Sequence, residues 1–87
     1  GSGPVTVSGK IILPPGWKLS IHTLTIRYKK PGGAATLNAF LPVKGPEFKA
    51  TINITSGSYQ VWAVIDVKDA EGRERQISSP VQSVTVQ

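Results

Sequence analysis

The chain has 87 residues, with ten basic and five acidic side chains, one histidine and no cysteine. This length fits a single domain, and the missing cysteines exclude disulfides, thiolate metal sites and cysteine nucleophiles. No apolar run approaches the roughly 20 residues that a membrane helix needs. Gly1-Ser2-Gly3 is typical of residues left by cloning, so we expect one domain over residues 4–87, with any targeting signal removed.

Along most of the chain, apolar and polar residues alternate with the two-residue period of half-buried β-strands, and no stretch has a helical period. The first predicted strand carries Val5, Val7, Ile11 and Leu13 on one side and stops at Pro14-Pro15-Gly16. In the second strand the inward side chains are Leu24, Ile26 and Tyr28, and the outward ones are Thr25, Arg27 and Lys29. Because Leu19 and Ile21 have the opposite parity, we expect a bulge near His22 and Thr23.

Three further strands follow in the sequence. The third is predicted from about Ala35 to Leu41, and Pro42 ends it. The fourth alternates cleanly, with an inward set of Phe48, Ala50, Ile52 and Ile54. The fifth follows Gly57, and its inward set is Tyr59, Val61, Ala63, Ile65 and Val67.

The C-terminal part predicts a hairpin and then an interrupted strand. Asp69-Ala70-Glu71-Gly72 is typical of a hairpin turn in which Gly72 supplies a positive φ. The pattern then runs from about Arg73 to Val86, and the proline of Ser79-Pro80 predicts a kink or a switch between sheets. Together these segments predict an all-β fold, a seven-stranded antiparallel Greek-key β-sandwich.

Several short motifs resemble those of bacterial immunoglobulin-like and fibronectin-type-III-like domains. They are Gly57-Ser58-Tyr59-Gln60-Val61-Trp62-Ala63, Asp66, Asp69 and Gly72 around the hairpin, and the closing Val84-Thr85-Val86. The opening Val7-Ser8-Gly9-Lys10-Ile11 and the strand entry Glu47-Phe48-Lys49-Ala50 also resemble carboxypeptidase-regulatory-like, transthyretin-like domains. Either resemblance implies a spacer, stalk or accessory module beside the catalytic or adhesive domains of a larger extracellular or cell-surface protein.

Tyr59 has a structural interpretation that does not depend on any family. It follows the turn at Gly57 and begins a core strand, so its ring can be buried while its hydroxyl bonds to a nearby backbone group. This arrangement is a tyrosine corner. We therefore assign structural roles to Tyr59, Gly57 and Gly72.

The charges are unevenly distributed along the chain. Residues 1–65 hold seven basic side chains against the single acid Glu47, whereas the other four acids lie between residues 66 and 74. One interpretation is a cationic face for a polyanion such as nucleic acid or an acidic polysaccharide. The scattered spacing, without interleaved aromatic residues, favours a solubilising coat of lysines that also blocks edge-to-edge strand pairing.

Residues that support catalysis or metal binding are sparse. His22 is the single histidine, so a two-histidine metal site cannot form, and no residue has a spacing that predicts a triad with it. Asp66, Asp69 and Glu71 carry the oxygen atoms that Ca²⁺ prefers, but neighbouring basic side chains compete for them and the calcium-loop spacing is absent. No glycine-rich phosphate motif precedes a helix. We therefore predict no catalytic residue, no metal and no cofactor.

Trp62 is the aromatic residue whose position is most informative. Its parity is opposite to that of Val61 and Ala63, which places it on the outer face of the sheet. An exposed aromatic there is a platform for stacking a sugar ring or docking a partner; alternatively, a loop or a neighbouring domain covers it. The candidate ligand-binding residues are Trp62, Trp17, Tyr28, Arg27 and Lys29. Of these, Trp17 also fits a loop residue that caps one end of the core.

Three functional hypotheses remain. The first is a structural or spacer module whose partners are neighbouring domains of the same extracellular or cell-surface polypeptide. The second is a carbohydrate-binding accessory module that uses the exposed aromatic residue. The third is a polyanion-binding basic surface, for which nucleic acid is the less favoured partner. In each case we expect a monomer without catalytic activity and without membrane insertion.

Overall fold

The computed structural model describes residues 1–33 and 36–87. The described residues form seven β-strands and no helix. The strands are β1 (Ser2–Lys10), β2 (Lys18–Lys29), β3 (Leu37–Pro42), β4 (Glu47–Thr55), β5 (Gly57–Lys68), β6 (Glu74–Ser78) and β7 (Gln82–Val86). The expected all-β class is therefore confirmed.

The strands form two antiparallel sheets. A two-stranded sheet pairs β1 with β4, and a five-stranded sheet has the order β3-β2-β5, with β6 and β7 both paired to β5. The two last strands lie one after the other along β5: β6 pairs with Val64–Lys68, and β7 pairs with Gly57–Val61. The larger sheet is therefore four strands wide.

The core lies between the two sheets, because every second side chain of a strand points toward the other sheet. The apolar residues of β5 with the predicted inward parity are all buried, and Ile26 and Val67 are fully enclosed. The two-stranded sheet adds Ile54, and its other inward residues, such as Val5 and Phe48, pack against the same cluster while partly exposed. Two apolar faces thus share a single core.

Two predicted irregularities are confirmed. The register of β2 against β5 shifts between Leu19 and Leu24, where the parity change predicts a bulge. The Ser79-Pro80 interruption separates β6 from β7, and since both pair with β5 it is a kink within one sheet and not a switch between sheets. Gly72 has φ 80°, as the hairpin prediction requires.

One strand boundary differs from the sequence prediction, and another lies outside the described residues. β1 ends at Lys10, opposite Glu47. Pro46 comes next on the partner strand and has no N–H to donate, so only its carbonyl accepts a bond, from the Ile11 N–H at 2.6 Å. β3 is described from Leu37 to Pro42, and its predicted start at Ala35 lies outside the described residues.

Both ends of the chain lie at the same end of the molecule. The Ser56 N–H donates to the Gly1 carbonyl at 2.9 Å, and the Ser56 hydroxyl donates to the Gln87 carbonyl at 2.9 Å. We call this the terminal end, and we call the opposite end, which carries the Asp69–Gly72 turn, the hairpin end. The molecule extends 45 × 25 × 16 Å, and its 12-residue strands span about 40 Å, so the long axis follows the strands.

Candidate ligand-binding face

Register places Trp62 among polar side chains on the outer face of the five-stranded sheet. Because Val61 and Ala63 are buried in the core, the side chain of Trp62 lies on the opposite face. Directly across from it on β2 is Arg27, and Gln60 lies across from Lys29. Strand register therefore places Arg27 beside Trp62 and Lys29 one row nearer the terminal end.

The third strand of this face is β3. Asn38 is paired with Arg27, and Phe40 is paired with Thr25. Since Thr25 is also paired with Val64 of β5, the face contains two adjacent rows of side chains that run across three strands, and Lys29 with Gln60 adds a third row across two strands. We call this set the tryptophan face: Thr25, Arg27, Lys29, Asn38, Phe40, Gln60, Trp62 and Val64.

The tryptophan face is unevenly covered. Val64 is only 4% exposed although it points away from the core, so neighbouring side chains cover it. Trp62 is half-buried, whereas Phe40 is 69% exposed. From the strand spacing and the rise per residue, the Cα atoms of Phe40 and Trp62 are about 12 Å apart. The face thus presents two aromatic groups with a polar strip between them.

The basic side chains of this face have no acidic partner among the described residues. Ion pairs there involve the side chains of residues 68–75, and none includes Arg27 or Lys29. The Nε atom of Arg27 is buried and lacks a hydrogen-bond partner within the described part of the chain. An unpaired buried donor is destabilising, so the face holds positive charge that the described fold does not neutralise.

Two of the candidate ligand-binding residues lie elsewhere. Tyr28 faces the core, where its ring meets that of Tyr59 edge to face, with centroids 6.1 Å apart and an interplanar angle of 69°. Trp17 precedes β2 and packs, partly buried, against the core. Neither residue joins Trp62 on the tryptophan face, because Tyr28 has the inward parity of Leu24 and Ile26.

The hydroxyl of Tyr59 is bonded, but not to the backbone. It pairs with the Thr55 hydroxyl at 2.8 Å, across the turn between β4 and β5. The turn itself depends on Gly57, whose φ of 143° is one that residues with a Cβ rarely adopt. The buried tyrosine therefore links β5 to β4, which belongs to the other sheet, through a side-chain hydrogen bond, whereas the sequence predicts a backbone partner.

Asp69 and the side chains of Arg73 and Arg75 form a bonded group at the hairpin end, which we call the hairpin clasp. Asp69 is buried and accepts hydrogen bonds from the backbone N–H groups of Glu71 and Arg73, both at 2.9 Å, and from the Nε atoms of Arg73 and Arg75, both at 3.1 Å. The Arg73 N–H and the other donors hold the pKa of Asp69 at about 2, below its ordinary 3.8, against the opposing effect of desolvation. Asp69 is therefore occupied by arginine side chains and turn amides.

The other sequence candidates are dispersed. His22 is exposed on β2 next to the bulge, and its carbonyl accepts a hydrogen bond from Val43 at 3.0 Å. Lys10 ends β1, and Lys49 lies on the outer side of the two-stranded sheet, away from the tryptophan face. Within residues 1–33 and 36–87, no group of three or more His, Cys, Asp or Glu side chains is arranged to hold a metal ion.

A mostly apolar cavity of about 350 Å³ opens at the edge between the two sheets. Its walls are the segment from Lys10 to Leu13, the middle of β5, and the kink at Ser79-Pro80. Lys10 is the single titratable side chain among the described residues that line it. A lone amine does not provide the acid and base pair that most hydrolytic reactions use.

Sequence reasoning missed two residues of the tryptophan face, Asn38 and Phe40. Both belong to β3, a short strand with apolar residues on both of its sides, and strand register brings them beside β2. A signal was present in the sequence, because Leu37, Ala39 and Leu41 share a parity that leaves Asn38 and Phe40 on the other side.

Comparison with known proteins does not assign the chain to a family. No family model matches it, and no curated protein and no solved structure is significantly similar to it. The described residues contain no helix that could cross a membrane. Proposals about function therefore depend on the geometry of the chain itself.

Proposed function

We propose that the chain is a non-catalytic, immunoglobulin-like Greek-key sandwich module of a larger extracellular or cell-surface protein. The strand connections support this architecture: after β2 and β3 have paired in the other sheet, β4 returns to pair with β1, as the last strand of a Greek key returns to the first. The edge cavity has Lys10 as its single titratable side chain among the described residues, which fits a non-catalytic role. Its partners are neighbouring domains of the same polypeptide.

The single observation that carries this proposal is the meeting of Gly1 and Gln87 at Ser56. A domain that the polypeptide enters and leaves at the same end adds little to the length of the parent protein. We therefore favour a bracing module that projects sideways from its neighbours over a spacer that extends a stalk. In this orientation the tryptophan face and the hairpin end remain available to a partner.

Small-angle X-ray scattering of three tandem copies, joined by short linkers from Gln87 to Gly1, tests this geometry. We expect the maximum dimension to stay near twice the 45 Å long axis, because all the junctions lie at terminal ends. A value near three times that axis would mean that the copies stack end to end, and the spacer role would then replace the bracing role. A single copy measured under the same conditions is the control.

A second candidate function is carbohydrate binding, and the register of the tryptophan face favours it. Trp62 lies across from Arg27, which itself lies across from Asn38, so a ring, a guanidinium and an amide follow one another in a single row. Aromatic faces stack on the apolar faces of sugars, and planar polar groups bond to sugar hydroxyls. Titration with a panel of neutral and acidic polysaccharides, followed by tryptophan fluorescence, tests this candidate; absence of any binding would leave the bracing role alone.

A further inference from the structure

The half of the tryptophan face nearest the terminal end is positively charged. It contains Arg27 and Lys29, while the acids of the five-stranded sheet lie toward the hairpin end, where Asp66 is bonded to Gln76 and Glu74 to Ser20. No described residue on this half of the face carries a carboxylate. The hairpin end also carries Lys18 and Lys68, so its charges are mixed, whereas the charge on the half nearest the terminal end is positive alone.

The polar groups on this half lie next to the ring of Trp62. Directly opposite side chains of an antiparallel strand pair have Cβ atoms about 5 Å apart. Arg27 is therefore within direct reach of Trp62 on one side and of Asn38 on the other. Lys29 and Gln60 form the next row toward the terminal end. A flat ring, two cations and two amides therefore lie within one small area.

A guanidinium offers a planar fork of N–H donors that matches a carboxylate, and an ammonium adds a second positive charge. The ring of Trp62 supplies an apolar surface on which the C–H face of a sugar can lie. The amides of Asn38 and Gln60 each both donate and accept, as sugar hydroxyls do. A sugar that carries a carboxylate would satisfy all these groups together.

We infer that this half of the tryptophan face binds a polysaccharide with carboxylate groups, with Trp62 under the sugar ring and Arg27 and Lys29 on the carboxylates. This inference rests on the carbohydrate-binding candidate and adds the charge of its ligand. Single-stranded nucleic acid fits less well, because it needs a succession of stacking aromatics along a basic groove. Here Trp62 alone lies beside the cations, and Phe40 is in the other row.

The test compares polygalacturonate with the same polymer after full methyl esterification, which removes the charge and keeps the sugar backbone. Binding to the whole chain is followed by isothermal calorimetry and by fluorescence, with a Trp17→Phe background that leaves Trp62 as the single indole. The variants are Trp62→Ala, Arg27→Gln and Lys29→Gln, and Lys49→Gln on the opposite sheet is the matched charge control. Oligo-dT is the nucleic-acid probe, and circular dichroism checks that each variant is folded.

We expect polygalacturonate to bind about tenfold more tightly than its methyl ester, the equivalent of one charge-assisted hydrogen bond. Arg27→Gln should remove most of that preference. Trp62→Ala should weaken the binding of both polymers, and Lys49→Gln should leave the binding of both unchanged. Equal binding of the two polymers would overturn the inference while keeping carbohydrate binding. Failure of both to bind would overturn the carbohydrate candidate itself, and binding of oligo-dT that Trp62→Ala does not change would replace it with a nucleic-acid surface.

Discussion

At the scale of single residues, Tyr59 shows how a core side chain also fixes a turn. Its ring is 2% exposed and packs edge to face on Tyr28, while its hydroxyl meets that of Thr55. Because Thr55 is itself exposed, the bond lies where the core meets solvent. The tyrosine therefore contributes both apolar burial and one directional contact.

We expect Tyr59→Phe to lower the free energy of unfolding by about 1 kcal/mol, the usual contribution of one hydrogen bond. Thr55→Val removes the other hydroxyl and should have a similar cost. The double variant should cost less than the sum of the two, since both changes remove the same interaction. Urea unfolding of the four proteins measures this coupling, and strict additivity would mean that the two hydroxyls do not stabilise each other.

Asp69 gives the molecule a predictable response to acid. Its pKa is about 2 in the folded chain and 3.8 ordinarily, so the folded state favours the carboxylate. For an acid with a lowered pKa, the stabilisation is complete above the ordinary value and is lost as the pH falls through the folded value. The hairpin clasp should therefore weaken between about pH 4 and pH 2.

The Asp69→Asn variant tests this assignment. It should be less stable than the parent at neutral pH, because an amide oxygen accepts more weakly from Arg73 and Arg75 than a carboxylate does. Its stability should also fall less steeply than that of the parent over the acid window. Parallel profiles for the two proteins, measured by thermal unfolding at a series of pH values, would assign the acid sensitivity to other carboxyl groups.

At the scale of elements, the kink between β6 and β7 is held by one side chain. Ser79 donates its backbone N–H to the Ala63 carbonyl at 2.8 Å, and its hydroxyl accepts from the Ala63 N–H at 2.8 Å. The hydroxyl thus replaces the backbone acceptor that a continuous strand would supply. Both backbone groups of Ala63 thus have a partner at the kink, while Pro80 has no N–H that needs one.

Ser79→Ala should therefore cost about 1–3 kcal/mol, because it leaves the N–H of the buried Ala63 without an acceptor. Ser83→Ala in β7 is the matched control, since Ser83 is exposed and makes no side-chain hydrogen bond within the described residues, and its effect should stay within about 0.5 kcal/mol. Chemical denaturation of both variants provides the comparison. Equal effects would mean that solvent replaces the serine hydroxyl.

At the scale of the whole molecule, the position of the chain ends follows from the number of strand columns, a column being one strand position in a sheet. Seven strands would place the ends at opposite ends of a sandwich if each occupied its own column. Here β6 and β7 share one column beside β5, so the chain makes an even number of passes and returns to the terminal end. A single kink therefore decides how the module attaches to its neighbours.

A circular permutant provides a direct check on this arrangement. Gln87 is joined to Gly1 by a short Gly/Ser linker, and the chain is opened between the exposed residues Lys44 and Gly45. We expect it to fold with an unfolding free energy within about 1 kcal/mol of the parent, because the closure is short and the new ends are at the surface. A second permutant, opened within the buried part of β5 after Val64, is the negative control and should not fold.

The alternation of the sequence by itself determined the all-β class and the inward sides of β2, β4 and β5. It gave the buried side of β5, the bulge in β2 and the hairpin at Gly72 correctly, because burial of one face of a sheet imposes a two-residue period. It also placed Trp62 on the outer face. These features depend on neighbours close in the chain, which a local pattern records.

Only the tertiary structure decided which strands are neighbours. Pairing of β2 with both β3 and β5 put Arg27 between Asn38 and Trp62, and it separated Tyr28 from them by the thickness of the sheet. Placing β6 and β7 on one partner strand brought the chain ends together at Ser56. Strand order depends on contacts between residues far apart in the chain. The periodic pattern of one strand carries no information on which distant strand forms hydrogen bonds with it.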